Sequence, residues 1–438
     1  MIIDIENAKE ARIKRANTDW WINEKAIVAD NGKTYIVYTT DMGEIHIKEF
    51  DAKNSNALSK DFCLCRLNCN YADEHNAPSL CILRDGTIIV AYTGHGVNGS
   101  LKYRITKKPY DIFSFDEEKA LLYDGNATYA QLFENTLKNE VWLFTRVNKV
   151  NWQFRYSKNK GADWSEPVTF ITSDAGGLFY VNIRKQLVTA DSSAVERWIF
   201  ALYGHPYVSK DHTIRSGIID CEGYLCELTG ERTKINIYGY DENGSCKSLF
   251  PLNDLSVVYK SPEGTTVRLL TVAPTVPIRV GLATFKYPDD KSAVYRVATF
   301  NGGEWLLSSP IADSGMFLAP GQTDGSASYV PGFEFYYGVG ESGFSYHKGK
   351  INTNRIFLAR KSEKYWLLES YVSENGGADY LLEQEIRKIP IERNIKIWRP
   401  TVPVFAEDNM PVYWHEGIYY GHTGAWHCDE VMLVDYDN

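Results

Sequence analysis

The 438-residue sequence predicts an all-β protein, and three observations carry that expectation. Its 29 Tyr, 19 Phe and 11 Trp against 5 Met describe a chain rich in rigid strand formers and poor in flexible fillers. Short apolar runs recur along the whole length, each bounded by Gly, Asp, Asn or Lys, while long amphipathic helical patterns are nearly absent. The runs also come in groups. KTYIVYT pairs with EIHIKEF, TIIVAYT with LKYRITK, VWLFTRV with WQFRYSK, and WIFALYG with IRSGIID; VRLLTVA is followed by VGLATFKY and YRVATFN, FEFYYGV by RIFLARK and YWLLESY, and MPVYWHE by IYYGHTG and VMLVDYD.

These are seven groups of about 63 residues each, a spacing that suits four-stranded sheets joined by long loops. Sheets of this kind bury their faces against one another, and a circle hides the last face, so the expected architecture is a seven-bladed β-propeller rather than two stacked sandwiches. Closure is expected from N- and C-terminal strands sharing a blade, with Ala26-Ile27-Val28 and Val431-Met432-Leu433-Val434 as the pair. The opening ENAKEARIKR reads as a short helix. No Pro/Gly/Ser-rich linker or charge block divides the chain, so residues 1–438 are assigned to one domain.

The formal net charge of -9 is spread along the sequence without a basic stripe, which argues against a nucleic-acid partner. No run approaches the roughly 18 apolar residues of a membrane helix. The start lacks the basic-then-apolar order of a secretory signal, so the chain reads as soluble, either cytoplasmic or secreted with its signal removed. Eight cysteines are too few for a disulfide framework. Cys63, Cys65 and Cys69 cluster without a second half of a zinc pattern and read as free thiols; His205, His212, Cys221 and Cys226 form the alternative tetrahedral set, at spacings that match no standard finger. No metal ligands are assigned.

Three segments carry chemistry or fold. Ser157-Lys158-Asn159-Lys160-Gly161-Ala162-Asp163-Trp164 is built as a turn: a short polar side chain to bond backbone amides, a glycine for a permissive dihedral, a tryptophan to pack between strands. In Asp73-Glu74-His75-Asn76-Ala77-Pro78 and Tyr92-Thr93-Gly94-His95-Gly96 two histidines stand 20 residues apart, a hairpin's length, so both rings can emerge at one end of a blade. In Ala127-Thr128-Tyr129-Ala130-Gln131 and Val141-Trp142-Leu143-Phe144-Thr145-Arg146, a tyrosine precedes a strand that ends in an arginine. Taken singly, each has a plain reading as a solvated histidine, an interblade aromatic or a surface ion pair.

Together these segments resemble known families. The first resembles the Asp-box S-x-D-x-G-x-x-W of sialidase-like propellers, with Asn159 at the Asp position, and supports the fold without bearing on the reaction. The second and third resemble the corresponding segments of BNR-repeat propellers that include the ulvan lyases, a group of polysaccharide lyases. Tyr203-Gly204-His205-Pro206 and Ile397-Trp398-Arg399-Pro400 extend the likeness. The resemblance implies an enzyme that cleaves a uronate-containing glycan by β-elimination, acting on an acidic oligo- or polysaccharide. Three tasks follow: neutralising the carboxylate, taking the C5 proton, and protonating the leaving oxygen at C4.

Arg146 suits the first task because its guanidinium stays charged and grips a carboxylate with two parallel hydrogen bonds. His75 or His95 suits the second, and Tyr129 or the other histidine the third, with Tyr129 also able to act as base if its phenol is acidified; the order among these three stays open. Asn76, Tyr203, His205 and Arg399 are assigned to substrate binding. The resemblance implies no cofactor for the chemistry; a structural metal held by some relatives has no mapped ligands here, because Asn151 stands where a histidine after the arginine is sought. Two other readings use the same fold: a non-catalytic glycan-binding propeller, and a sialidase-like hydrolase, which requires a cluster of three arginines. The early basic residues Arg12, Lys14 and Arg15 sit in the expected helix rather than on a strand entering a cleft.

Overall fold

The computed structural model describes residues 9–16, 24–51, 60–66, 74–94, 97–173, 178–190, 193–205, 212–239, 249–286, 290–315, 330–336, 354–404, 412–418 and 427–434. Among these, the elements are antiparallel strands and three single-turn 3-10 helices. After β1 (Lys9–Ile13), strands β2 (Ala26–Val28), β3 (Thr34–Thr39), β4 (Ile45–Phe50) and β5 (Lys60–Cys65) form one sheet in sequence order. Then β6 (Ser79–Ile82), β7 (Ile88–Tyr92), β8 (Val97–Ile105), β9 (Lys119–Asn135), β10 (Glu140–Val147), β11 (Asn151–Ser157) and β12 (Val168–Thr172) form a seven-stranded sheet.

The next sheet holds β13 (Phe179–Ala190), β14 (Ser193–Gly204), β15 (Thr213–Asp220), β16 (Tyr224–Cys226) and β17 (Arg232–Asn236), with β18 (Ser256–Lys260) also on β15. It is followed by β19 (Thr265–Ala273), β20 (Arg279–Lys286), β21 (Val294–Phe300) and β22 (Trp305–Leu307), with β23 (Ala312–Asp313) on β21. A four-stranded sheet of β24 (Gly332–Phe335), β25 (Asn354–Lys361), β26 (Tyr365–Ser373) and β27 (Leu381–Pro390) precedes β28 (Lys396–Thr401), β29 (Tyr413–Ile418) and β30 (His427–Val434). The strand pairs read from the sequence form as expected wherever they are described; IYYGHTG beyond Ile418 lies outside the described residues.

The arrangement is that of a β-propeller. Apolar side chains alternate along each strand and pack between sheets, with Trp142, Phe144, Trp198 and Phe200 joining the sheets of β10 and β14. The first strands of successive sheets, and β6 and β9 within the long sheet, are also tied by polar contacts that satisfy buried backbone groups. Leu80 N–H donates to Glu24 O (2.8 Å), Leu132 N–H to Ser79 Oγ (3.2 Å), and Gln131 bonds the backbone of Val181 and Ile183 (2.9 Å each). Val272 N–H donates to Asn182 Oδ1 (3.0 Å), Thr271 Oγ1 to Glu334 Oε1 (3.2 Å), and Arg399 N–H to Pro331 O (2.7 Å). Val404, just past β28, exchanges two 2.9 Å backbone bonds with Ala26 and Val28 of β2.

Long β9 serves two neighbours, pairing β8 with its first half and β10 with its second from Ala127 onward.

Two expectations are corrected here. Lys9–Ile13, read as helix, is a strand paired in register with β30, from Lys9 opposite Val434 to Ile13 opposite Glu430. Helix propensity is a weak preference, and the open edge of β30 offers backbone partners along its whole length. Ile13 buries beside Ala26, Ile36 and Tyr413, while Arg12 donates to the buried carboxylate of Glu416 (2.8 Å). Burial alone pushes that carboxyl up, but hydrogen bonds from Arg387 and Arg12 outweigh it and hold the group below its ordinary range. Ala26–Val28, expected to pair with the last strand, lies instead on β3, and Ile27 bridges Val404.

The Asp-box segment forms the expected turn at the end of β11. Ser157 Oγ accepts Gly161 N–H (2.8 Å), Asn159 Oδ1 accepts Asp163 N–H (2.9 Å), and Trp164 packs on Tyr103. Ser157 lies at the far end of β11 from Trp152, the residue opposite Arg146. A second turn of the same kind, unnoticed in the sequence, closes β26: Ser373 Oγ accepts Gly377 N–H (2.8 Å) and Asn375 Oδ1 accepts Asp379 N–H (3.0 Å). It reads Ser-x-Asn-x-Gly-Ala-Asp like the first, with Tyr380 in place of the tryptophan. Gly377 takes φ +97, and a Cβ there would come within 2.7 Å of Thr299 Oγ1, so glycine is required.

Because each serine supplies the acceptor for a buried amide, Ser157→Ala and Ser373→Ala should each cost about 1–3 kcal/mol. The denaturant midpoint of each variant checks this; an unchanged midpoint for either would mean that the turn is held by its strands alone.

Candidate active site

Chain geometry at one end of the first strands brings the assigned residues together. His75 and Asn76 sit on the single helical turn before β6, both buried, with Asn76 O accepting from Thr39 Oγ1 (3.3 Å). Arg146 lies near the end of β10, opposite Thr128 on one side and Trp152 on the other. Tyr203 ends β14 directly opposite Tyr180 of β13, and the two rings stack at 5.5 Å. His205 follows, its N–H bonded to Leu178 O (2.8 Å). Trp152 Nε1 donates to Phe179 O (3.2 Å) and so fixes β11 against β13 beside the site.

Two of the residues stand on irregular backbone. Between Phe144 and Arg146 the pairing with β9 slips, and the bulge holds Tyr129 at φ +66; Thr145 Oγ1 secures it by donating to Tyr129 O (3.0 Å). Arg399 has φ +51 at a second slip, between Trp398 and Thr401. A left-handed tyrosine or arginine costs on the order of 1–3 kcal/mol, which neighbouring structure must offset. At both places the bulge re-aims a side chain that regular alternation would send elsewhere.

The rings and charges meet around Arg146. Its guanidinium carbon lies 4.5 Å from the ring centre of Tyr129 and 5.0 Å from that of Tyr180, and the His75 ring stands 5.9 Å from that of Tyr129. Arg146 is 2 % exposed, and neither its Nε nor its Nη1 has a hydrogen-bond partner among the described residues. No carboxylate pairs with it among them. Two phenol faces stabilise the cation, yet a buried guanidinium without an anion has lost its hydration for little return.

His205 and Tyr203 feel the same field. Burial, then the positive charges of Arg268 and Arg146, push the His205 imidazole down to about 3, so it is neutral at neutral pH. Burial raises the Tyr203 phenol above its ordinary range, with Arg268, Arg399 and Arg146 pulling the other way. Ring and cation contacts thus join His75, Tyr129, Arg146, Tyr203 and His205 through Tyr180; Asn76 adjoins His75 on its turn, the charge of Arg399 acts on Tyr203, and His95 lies outside the described residues. Tyr180 and Arg268 belong to the cluster and were missed. Arg268 had a readable signal, a charge inside the apolar run TTVRLLTVA, whereas nothing separates Tyr180 from the other tyrosines before β13 is placed.

The set His205, His212, Cys221 and Cys226 does not gather: His212 Nδ1 bonds Thr266 Oγ1 (2.8 Å). Among the described residues, the side chains close enough for a metal are Glu44, His46 and Cys63. Asn151 Oδ1 accepts from Thr172 Oγ1 (2.7 Å). The basic residues near the start are engaged elsewhere, Arg12 on Glu416 and Arg15 on Asp41.

Two outcomes follow from the charges. Arg146→Met, which replaces an unpaired buried cation by an apolar chain of similar length, should unfold at an equal or higher denaturant midpoint than the parent; a clear loss would mean that the guanidinium is a structural tie. His205 binds its proton more weakly folded than unfolded. Its contribution to stability is therefore present above about 6.5 and is lost as pH falls from there toward about 3. Stability measured across that window should decline less steeply in His205→Asn.

Comparison with known proteins places this cluster in context. Residues 33–186 match the model of a BNR repeat-containing family. Over 169 residues the chain is 24% identical to the ulvan lyase of Nonlabens ulvanivorans, a stretch that makes up 33% of this chain and 34% of that one. Over 114 residues it is 27% identical to the ulvan lyase of Alteromonas sp. (strain LOR), 23% of each chain. The matches thus span about a third or less of these relatives' length. A solved PL25 ulvan lyase bound to -[GlcA(1-4)Rha3S]- superposes with a TM-score of 0.67 at 14% identity, over 97% of this chain and 96% of that one. The polysaccharide lyase Uly1 superposes with a TM-score of 0.57 at 12% identity, over 98% and 99%. The chain therefore shares its fold with ulvan lyases over nearly its whole length, and residues 33–186, which hold His75, Asn76, Tyr129 and Arg146, carry the sequence pattern of the BNR repeat-containing family.

Proposed function

We infer that this protein is a polysaccharide lyase that cleaves a uronate-containing glycan by β-elimination. The observation that carries the reading is Arg146: a buried guanidinium, stacked on two phenols, with Nε and Nη1 unused. A uronate carboxylate supplies the missing anion. Charge then develops on that carboxylate as the C5 proton leaves, and a cation already desolvated and in place stabilises it more than water would.

In this reading a histidine, His75 or His95, takes the C5 proton; the electron pair forms the C4–C5 double bond, the C4–O4 bond breaks, and Tyr129 protonates the departing oxygen. Supporting these roles, the Tyr129 ring lies within 4.5 Å of the Arg146 guanidinium carbon and 5.9 Å of the His75 ring. Tyr203, neutral His205, Asn76 and Arg399 bind the polymer on either side. The residues balance the elimination without a cofactor. The frame is a single domain of seven blades, with β9 contributing to two of them and β1 closing the last by pairing with β30. Support for that count comes from the hydrogen bonds that run from one first strand to the next and return from Val404 to β2.

Incubated with ulvan or another uronate polymer, the protein should release products with the ultraviolet absorbance of a conjugated 4,5-unsaturated uronate. Arg146→Ala, Tyr129→Phe and His75→Ala should each lower that rate by at least about a hundredfold with the fold retained. Saturated products would point to hydrolysis, and binding without turnover to a glycan-recognition module. Full activity in Arg146→Ala would refute the assignment.

A further inference from the structure

The first sheet holds a second set of chemically capable side chains, apart from the residues grouped around Arg146. β4 and β5 are antiparallel neighbours, and a slip between Ile45 and His46 sets His46 directly opposite Cys63. Glu44 lies one residue before β4. One donor atom from each of Glu44, His46 and Cys63 lies within 4.8 Å of the others. Glu44 Oε2 and His46 Nε2 are 3.4 Å apart, close to the roughly 3.3 Å that separates two ligands bonded at about 2.0 Å to a tetrahedral zinc.

The imidazole is oriented for this task. Its Nδ1 lies 2.7 Å from Asp61 Oδ1, and Asp61 also accepts from the Tyr38 hydroxyl, whose ring stacks on His46 at 5.4 Å. A carboxylate on Nδ1 fixes the proton there and leaves the lone pair on Nε2, the arrangement that accompanies metal-bound histidines. Nε2 itself is buried and makes no hydrogen bond, even with Glu44 at 3.4 Å. A plain ion pair would have used that contact as a hydrogen bond.

We propose that Glu44, His46 and Cys63 bind one divalent ion of the zinc type through a carboxylate oxygen, Nε2 and a thiolate, with a fourth position left to water. The thiol gives its proton to solvent as the Sγ–metal bond forms, so affinity falls with falling pH. Sulfur and imidazole donors select zinc over magnesium or calcium. Since β5 is the outer strand of its sheet and pairs with β4 alone, the ion pins an edge strand. The cysteine cluster that lacked a second half in the sequence finds it on the neighbouring strand.

The test uses the full chain, stripped of metal by a chelator and titrated with Co2+ alone. Expected are visible bands of a tetrahedral cobalt site and a thiolate-to-cobalt charge-transfer band, saturating at one equivalent and displaced by Zn2+. Cys63→Ser should abolish the charge-transfer band, His46→Ala should weaken binding at least tenfold, and Asp61→Asn should weaken it about 10–100-fold with stoichiometry kept. Circular dichroism and melting in chelator, equal for parent and variants, show that the fold is intact, and Zn2+ should raise the melting temperature of the parent but not of Cys63→Ser. No thiolate band in the parent, or a band that survives in Cys63→Ser, would overturn the proposal. Because none of these readouts is glycan turnover, the result stands or falls apart from the lyase reading.

Discussion

A sheet four strands wide has two apolar faces and no core of its own, so every sheet here depends on its neighbours for burial. Apolar packing supplies most of that dependence, but it does not set the sheets in one register. Polar side chains do: Ser79 of β6 ties β9 within its sheet, and Gln131, Asn182 and Thr271 each reach across to the next sheet and satisfy a buried group there. Leaving any of these unmade would strand a buried donor or acceptor, which costs more than the bond itself contributes. The chain of contacts thus gives each sheet one position relative to the next. A site assembled from several sheets requires that precision.

The cluster around Arg146 draws on it directly. Its members come from the turn before β6, from β9, β10, β13 and β14, and from β19 and β28, and none of these lies on a long loop. Tyr129 and Arg399 are held in left-handed backbone by the pairing around them. Strain at these two places, and an unpaired cation at a third, are departures from what stability alone would select. All three fall within one cluster, although left-handed residues also stand elsewhere, as at Tyr110 and Lys160.

The two Asp-box-like turns show the opposite economy. Both satisfy their polar groups internally, both close the third strand of a sheet unit, and the one on β11 lies at the opposite end from Arg146. Their serine, asparagine and glycine perform a purely conformational task that a few consecutive residues can specify. The turn at Ser373 escaped notice only because tyrosine replaces tryptophan at its last position, although the bonding positions are the same.

Strand positions, their pairing across short turns, the turn at Ser157 and most of the cluster around Arg146 were legible in the sequence, because alternation and turn chemistry are local properties and buried polar residues stand out among apolar ones. Other features depended on which segments meet. KEARI carries a helix former's composition and also an alternating pattern, and the free edge of β30 decided between them. The bulges under Tyr129 and Arg399 arise from a mismatch in length between paired strands, which neither strand shows alone. Glu44 and His46 find Cys63 across a strand pair through a one-residue slip. Register, edges and slips are properties of pairs of segments, and only the folded chain decides them.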